Sequence, residues 1–197
     1  MKPLHDGSPV VGELGHAGHQ EVIGTMGQVK MHLVEKAEDV DKLEISSDSQ
    51  IAYITQTTLS KYETAEIEDA LIKRFPNLTT SKNDICYATT NRQEAVMSLL
   101  GRVNLFLVVG EENSSNSKRL VETAKQNGVD AYLISTFRNI EDKWLDNVKS
   151  AGITSGASAP EKLVREIVEY LRKNYGGKVE EYIHVTEKVN FPDKILV

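Results

Sequence analysis

The sequence predicts an α/β protein with two similar small units, each a parallel sheet flanked by helices. Strand-like segments alternate with segments of helical periodicity along the chain. The apolar run at 103–109 is typical of a strand buried on both faces of a parallel sheet. The order of strand, polar turn and helix also recurs. We therefore expect a loose N-terminus, two units and a C-terminal tail, at 1–9, 10–82, 83–178 and 179–197.

In the first unit, alternating apolar and polar residues predict strands at 31–36 and 51–56. The signal at Val10–Leu14 is weaker, because a glycine and a glutamate interrupt it. An acidic helix is expected at 37–43, and an amphipathic helix at 63–75 ends before Pro76. Glycines between these elements, at 15–28, argue against a long regular helix there.

The second unit has stronger strand and helix signals. Glycines just after the periodic segments are typical of helix C-termini, and Pro160 suits the first turn of the last helix. Strands are expected at 103–109, 131–134 and 152–154. Helices are expected at 94–100, 118–127, 141–150 and Glu161–Tyr175. The tail contains a β-like stretch with no helix to cover it.

Composition excludes several classes of partner. The 197 residues are 40% hydrophobic and 26% charged, as in ordinary globular proteins, and the net charge is −6. This acidic balance gives no bulk attraction to nucleic acid or to an anionic membrane, so a phosphorylated ligand would need local donors. The single cysteine cannot form an internal disulfide, which fits a cytoplasmic protein. The sequence contains no apolar run of membrane-spanning length.

The single cysteine, Cys86, lies near the middle of the chain before signals of a helix start. Thr90 and Gln93 have the spacing of a capping box. Asn91 and Glu94 have the same spacing, so the helix can begin at either position. The helix dipole would favour a thiolate at Cys86, which could act as a nucleophile, a metal ligand or an iron–sulfur ligand. The alternative is a buried structural cysteine, which the residue type alone favours.

Turns rich in hydroxyl and amide side chains follow the predicted strands. Such turns lie at the carboxyl ends of parallel strands, where ligands bind, and helix N-termini there can hold phosphate without lysine. The alternative is helix capping, which uses the same residue types. Five consecutive candidates at 113–117 exceed the needs of one cap, although the spacing is not that of a P-loop. The turns are at 56–58, 113–117 and 155–158.

His19 and Glu21 form a further candidate pair. On a regular helix, side chains two residues apart point about 200° from one another, so a shared site requires a loop or a first helical turn. An imidazole can hold a phosphate oxygen, and a nearby carboxylate can deliver a proton. The alternative is an ordinary surface pair, which the spacing alone favours. Metal binding by His16 and His19 is a weaker third option.

Together and in this order, the motifs resemble the LytB family, the 4-hydroxy-3-methylbut-2-enyl diphosphate reductases of the non-mevalonate isoprenoid pathway. The matching stretches are 18–28, 55–60, 84–93, 113–117 and 156–160. The resemblance implies three similar α/β domains around a [4Fe–4S] cluster held by three cysteines. It also implies reductive dehydroxylation of an allylic diphosphate to isopentenyl and dimethylallyl diphosphate, with electrons from an external donor.

The resemblance implies roles for particular residues. Cys86 would be one of the three cluster ligands, and His19 would contact the diphosphate. Glu21 would relay a proton, while Thr57 would help to hold the substrate's hydroxyl and that relay. The other expected substrate-binding residues are Thr58, Ser114, Ser115, Asn116 and Ser158.

The resemblance covers only the second and third domains of the family. The family's first domain supplies two cysteines and two histidines, and the first fourteen residues here are expected to match no segment of the family. One interpretation is a fragment or split subunit of the reductase, active with a partner chain that supplies the missing domain. The other is a noncatalytic truncated homologue that binds at most a diphosphate. With one cysteine, the chain alone is expected to hold no stable cluster.

Overall fold

The computed structural model describes residues 10–80 and 85–185, and in these ranges the chain forms two parallel β-sheets. The first sheet has the order β2-β1-β3-β4 and the second has the order β6-β5-β7. Every strand pairing in both sheets is parallel. The predicted class, two small parallel-sheet α/β units, is confirmed. The strands are β1 Val10–Leu14, β2 His32–Val34, β3 Ile51–Thr55, β4 Leu78–Thr80, β5 Leu105–Val109, β6 Asp130–Ile134 and β7 Ala151–Ser155.

Helices follow most of the strands, as parallel pairing requires. They are α1 Gln20–Met26, α2 Ala37–Val40, α3 Lys61–Arg74, α4 Tyr87–Leu99, α5 Ser115–Gln126 and α6 Glu161–Tyr175. The limits of α6 agree with the prediction, and Gly176 ends it with a φ of 70°. In the described ranges, no helix combines the length and apolar character needed to cross a membrane.

The predicted helix at 141–150 is wrong. The chain forms two short 3₁₀ turns instead, Phe137–Asn139 and Asp142–Trp144. The Trp144 ring stacks on Tyr132 of β6 with 3.9 Å between centroids, which holds this segment against the strand. Asn147 has a φ of 62°, a left-handed conformation that a continuous α-helix excludes.

The predicted start of α4 is also wrong. The helix begins at Tyr87, and the backbone N–H groups of Thr89 and Thr90 both donate to the carbonyl of Cys86. Cys86 is thus the N-cap itself, and Thr90 and Gln93 lie buried inside the helix instead of forming a capping box. The side of α4 that carries these polar residues packs inward, which their spacing alone did not indicate.

Other differences are smaller. The α5 helix begins at Ser115, three residues before the predicted 118, because Ser114 caps it. The strand β4 was not predicted, and it pairs with β3. The described part of the tail, 179–185, contains no strand. The predicted N-terminal segment 1–9, the unit boundary at 82–83 and the end of the tail lie outside the described residues.

Apolar side chains form separate cores on the two sheets. In the first unit, α2 and α3 cover one face of the sheet, where Tyr53 and Phe75 are buried. In the second unit, α4 and α5 cover one face, and α6 covers the other. Each fully buried large apolar side chain stabilises the fold by about 1.5–3 kcal/mol relative to an exposed one. Within each unit, these cores leave the turns at the carboxyl ends of the strands free to carry polar groups.

Candidate functional site

The Glu21 carboxylate is held by the turn that follows β3. The backbone N–H of Thr57 donates to both carboxylate oxygens, at 3.1 and 3.2 Å, and the Thr57 hydroxyl donates to Oε2 at 3.0 Å. Glu21 lies in the first turn of α1, where the helix dipole favours a negative charge. Hydrogen bonds to an ionised group are stronger than neutral ones, so the carboxylate has a defined orientation. Glu21 and Thr57 can therefore hold a proton, or pass one between Glu21 Oε2 and the Thr57 hydroxyl oxygen.

His19 connects the first unit to the second. It is the N-cap of α1, and its Nδ1 accepts a hydrogen bond from the backbone N–H of Glu21 at 3.3 Å. Because Nδ1 is an acceptor, the neutral ring carries its proton on Nε2. Nε2 lies 2.6 Å from the Ser115 hydroxyl of α5, to which it can donate. The His19 and Glu21 side chains therefore share one helix turn but have different partners.

The first turn of α5 contains a buried amide that has no partner among the described residues. The Ser114 hydroxyl caps the helix, accepting from the Ser117 hydroxyl at 2.9 Å and from the Ser117 backbone N–H at 3.3 Å. Asn116 is 8% exposed, and neither atom of its amide has a hydrogen-bond partner among the described residues. An unpaired buried amide costs about 1–3 kcal/mol, which a polar ligand in contact with it would offset.

Ser158 faces the same turn across a small cavity. Ser114 and Ser158 both line this space of about 100 Å³ between the turns after β5 and β7. Glycines bring the two turns close together. A Cβ added at Gly110 or at Gly156 would lie 2.2 Å from the Ser117 hydroxyl oxygen, far inside van der Waals contact. The two turns and the start of α5 thus form one cluster of hydroxyl groups.

Cys86 lies beside the turn that holds Glu21. Its backbone N–H donates to the carbonyl of Thr57 at 3.1 Å, and the residue is exposed. The alternative of a buried structural cysteine is therefore wrong. Thr58 faces a different partner, because its hydroxyl accepts from the Gln56 amide at 2.7 Å. Gln56 also accepts the backbone N–H of His16 at 3.1 Å, so it ties this turn to the histidine segment.

Comparison with known proteins decides the family. Residues 5–172 match the family model described as LytB protein, so the expectation that the first fourteen residues match no family segment is wrong for residues 5–14. The chain belongs to the LytB family. It is 47% identical over 191 residues to the 4-hydroxy-3-methylbut-2-enyl diphosphate reductase of Nitrosomonas europaea, an alignment that covers 91% of this chain and 59% of that protein. The corresponding reductase of Psychromonas ingrahamii is 48% identical over 184 residues, with 90% and 59% covered.

A solved structure gives the same result for the LytB fold. The E-1-hydroxy-2-methyl-but-2-enyl-4-diphosphate reductase from Plasmodium falciparum superposes with a TM-score of 0.79 at 38% identity. The match covers 84% of this chain and 53% of that one. The LytB chain described here therefore spans about three-fifths of the length of the curated relatives it matches.

The donor set of this LytB chain does not fit a [4Fe–4S] cluster without further ligands. Such clusters are held by several cysteine thiolates, and the sequence contains one cysteine. Within residues 10–80 and 85–185, no group of three or more His, Cys, Asp or Glu side chains could hold a metal ion. Cys86 is exposed at a helix N-terminus and can supply one thiolate ligand.

Sequence reasoning missed two charged residues near this site. Glu13 in β1 is 1% exposed, and its buried position and the nearby Glu21 carboxylate raise its pKa. Arg119 in α5 is 9% exposed and contacts the first unit. The i, i+4 spacing of Ser115 and Arg119 places both on one face of α5, so the sequence could have indicated that Arg119 lies near this candidate ligand. Nothing in the sequence indicated that Glu13 lies near the site, because it only interrupts the pattern of a weakly predicted strand.

Proposed function

We propose that this chain supplies the diphosphate-binding and proton-relay residues of a 4-hydroxy-3-methylbut-2-enyl diphosphate reductase. The contact between His19 Nε2 and the Ser115 hydroxyl carries the proposal, because it brings the histidine of one unit to the serine turn of the other. The names of the relatives supply the substrate class. The acidic chain lacks a bulk field for anions, so local donors at this contact would have to bind the diphosphate.

The proposed diphosphate ligands are hydrogen-bond donors, most of them around the start of α5. His19 Nε2–H and the Ser115 hydroxyl would donate from opposite sides of the seam between the units. The N-terminus of α5 adds backbone N–H groups and the positive end of its dipole. The buried Asn116 amide would obtain the partner that it lacks among the described residues. The remaining proposed ligands are Ser114 and Ser158, beside this helix start, and Thr58, in the turn after β3.

Glu21 and Thr57 form the proposed proton relay. Replacing the substrate's hydroxyl with hydrogen requires two electrons and two protons, of which one goes to the leaving oxygen, to form water, and the other to the allylic carbon. A proton on Glu21 Oε2 can pass to the Thr57 hydroxyl, which lies 3.0 Å away, while that hydroxyl gives its own proton to the leaving oxygen. The two backbone hydrogen bonds from Thr57 keep the carboxylate in line for this transfer.

Electron transfer in this proposal requires components beyond this chain. Cys86 would be one ligand of the family's [4Fe–4S] cluster, which supplies the electrons for the dehydroxylation when it is bound. The other thiolates would come from a partner chain or a further segment, and the electrons from an external donor. The single cysteine also favours a second candidate, a noncatalytic homologue that binds a diphosphate at the same turns.

The test is the affinity of the purified chain for inorganic pyrophosphate, measured by titration calorimetry. We expect specific binding, and we expect His19→Gln and Ser115→Ala each to weaken it about tenfold, the equivalent of one good hydrogen bond to an anion. Ser98→Ala is the matched control, since Ser98 bonds only to the backbone of its own helix α4 in the described contacts. Absence of binding, or equal loss with Ser98→Ala, would contradict the proposal.

A further inference from the structure

Arg119 is a buried cation at the seam between the two units. Its side chain leaves α5 and contacts Glu63 at the start of α3, with Nη1 2.7 Å from Oε1. Nη1 also lies 2.9 Å from Glu122 on its own helix. Nη2 contacts Nε2 of His16. The residue is 9% exposed, and the proposed binding and relay steps make no use of it.

Each described apolar core lies within one unit, and the seam between the units carries several polar contacts besides those of Arg119. The Cys86 N–H bonds the Thr57 carbonyl, and Lys61 pairs with Glu94 at an exposed position. An exposed ion pair contributes about 0–1 kcal/mol and restrains its elements weakly. The contacts of Arg119 are better shielded from water.

The spacing of the contacts gives Arg119 a geometric role. Ser115 and Arg119 are one helical turn apart on α5 and contact the same short segment of the first unit. In that segment, the backbone N–H of His19 donates to the carbonyl of His16 at 3.1 Å. The rings of His16 and His19, three residues apart, thus contact the side chains of Arg119 and Ser115 on α5. A shift at the His16 contact would move His19 relative to Ser115.

We propose that Arg119 is a positioning residue of the diphosphate site. It holds the 16–19 segment and the start of α3 against α5, and so keeps His19 and Ser115 in contact. The inference that this contact serves diphosphate binding rests on the proposed function. The inference that Arg119 keeps His19 and Ser115 in contact does not. A guanidinium can do this because its planar fork donates to a carboxylate and to a ring nitrogen at once. Since guanidinium only donates, His16 must present Nε2 without a proton.

The experiment compares Arg119→Gln and Arg119→Lys with the unaltered chain by NMR of the histidine rings. We expect Arg119→Gln to change the ¹⁵N and ring-proton signals of both His16 and His19, although residue 119 has no described contact with His19. Arg119→Lys keeps the charge but has a single nitrogen, so we expect it to restore the His19 signals only in part. Lys125→Gln removes the same charge from an exposed site on α5 and should leave these signals unchanged.

Pyrophosphate affinity provides the second readout. We expect Arg119→Gln to weaken binding about tenfold or more and Lys125→Gln to change it less than twofold. Both substitutions remove one positive charge, but only Arg119→Gln also removes the contacts that position His19. Unchanged His19 signals in folded Arg119→Gln would overturn the inference. If the unaltered chain does not bind pyrophosphate while the His19 signals still respond, the proposed function fails and the positioning role remains.

If Arg119→Gln does not fold, variants of His16 test the positioning role of Arg119 instead. His16 is exposed, so its replacement leaves the buried arginine and its carboxylate partners in place. We expect His16→Ala to shift the His19 signals and to weaken pyrophosphate binding. His16→Gln, which can accept a hydrogen bond from Arg119, should recover both. Equal behaviour of His16→Ala and the unaltered chain would contradict the positioning role.

Discussion

Glu13 shows how a single buried acid can work against the stability of this fold. It lies in β1 between two other strands, and its Oε2 has no hydrogen-bond partner among the described residues. Burial and the Glu21 carboxylate raise the pKa of Glu13, while a hydrogen bond with Thr25 lowers it in part. In the folded chain, the carboxyl group therefore keeps its proton at a higher pH than in the unfolded chain.

The sign of the effect on stability follows from proton binding. Above the ordinary pKa of 4.5, the folded state binds more protons than the unfolded state, so stability falls as pH rises through the raised pKa of Glu13. Glu13→Gln removes the charge and keeps the shape. We expect it to raise the free energy of unfolding by about 1 kcal/mol at pH 8, with the difference disappearing below the ordinary pKa.

Urea unfolding of both chains across this pH range measures the effect. Glu44→Gln, at an exposed position, is the control and should not change the pH dependence. A Glu13→Gln chain that is less stable than the unaltered chain at pH 8 would show that the carboxylate has a favourable partner.

At the scale of elements, the turns after β5 and β7 meet at the first turn of α5. Gly110 and Gly156 make this approach possible, since each lacks the Cβ that would overlap the Ser117 hydroxyl. The hydroxyl cluster around Ser114 therefore depends on backbone proximity as well as on side chains. Ser114 also caps α5, so a displaced turn would affect both the helix start and the proposed ligand site.

Gly156→Ala tests this packing. We expect a loss of about 1–3 kcal/mol in the free energy of unfolding, because the added methyl group overfills the turn. We also expect weaker pyrophosphate binding, since Ser117 and Ser114 must move. Gly177→Ala, whose Cβ would meet nothing within 4 Å, is the matched control for both measurements. Equal stability of the two variants would mean that the turn relaxes at little cost.

At the scale of the whole molecule, the number of thiolates limits what the chain can do. Incubated anaerobically with iron and sulfide, the chain alone should develop no stable iron–sulfur absorbance and should not reduce the allylic diphosphate. The reason is that clusters of this type are held by several cysteine thiolates, and this chain has one cysteine. Cluster formation and turnover by the chain alone would contradict the proposed division of ligands.

A complementation experiment tests whether the missing ligands restore the cluster. The part of the Nitrosomonas europaea relative that this chain does not cover can be added in trans. We expect cluster absorbance to appear on mixing, and Cys86→Ser to abolish that gain. Ser98→Ala, on the same helix as the Cys86 cap, should leave it unchanged. Equal absorbance with Cys86→Ser would remove Cys86 from the proposed ligand set.

The sequence by itself determined the fold class, most elements and the polar turns. These properties depend on local patterns, such as the apolar run in β5, the amphipathic period of α6 and the glycine that ends it. The positions of the candidate ligand turns followed from the same logic, because parallel strands end at one edge of their sheet. Their resemblance to LytB motifs then suggested roles that remain proposals.

Tertiary structure alone decided where α4 begins, how the segment after β6 folds and which side chains meet. Thr90 and Gln93 lie inside α4 because the helix packs that face inward, and Trp144 stacks on a strand instead of continuing a helix. The contacts of His19 with Ser115 and of Arg119 with His16 join residues 96 and 103 positions apart. Local spacing carries no information about such distances, because they depend on how two units with separate cores pack together.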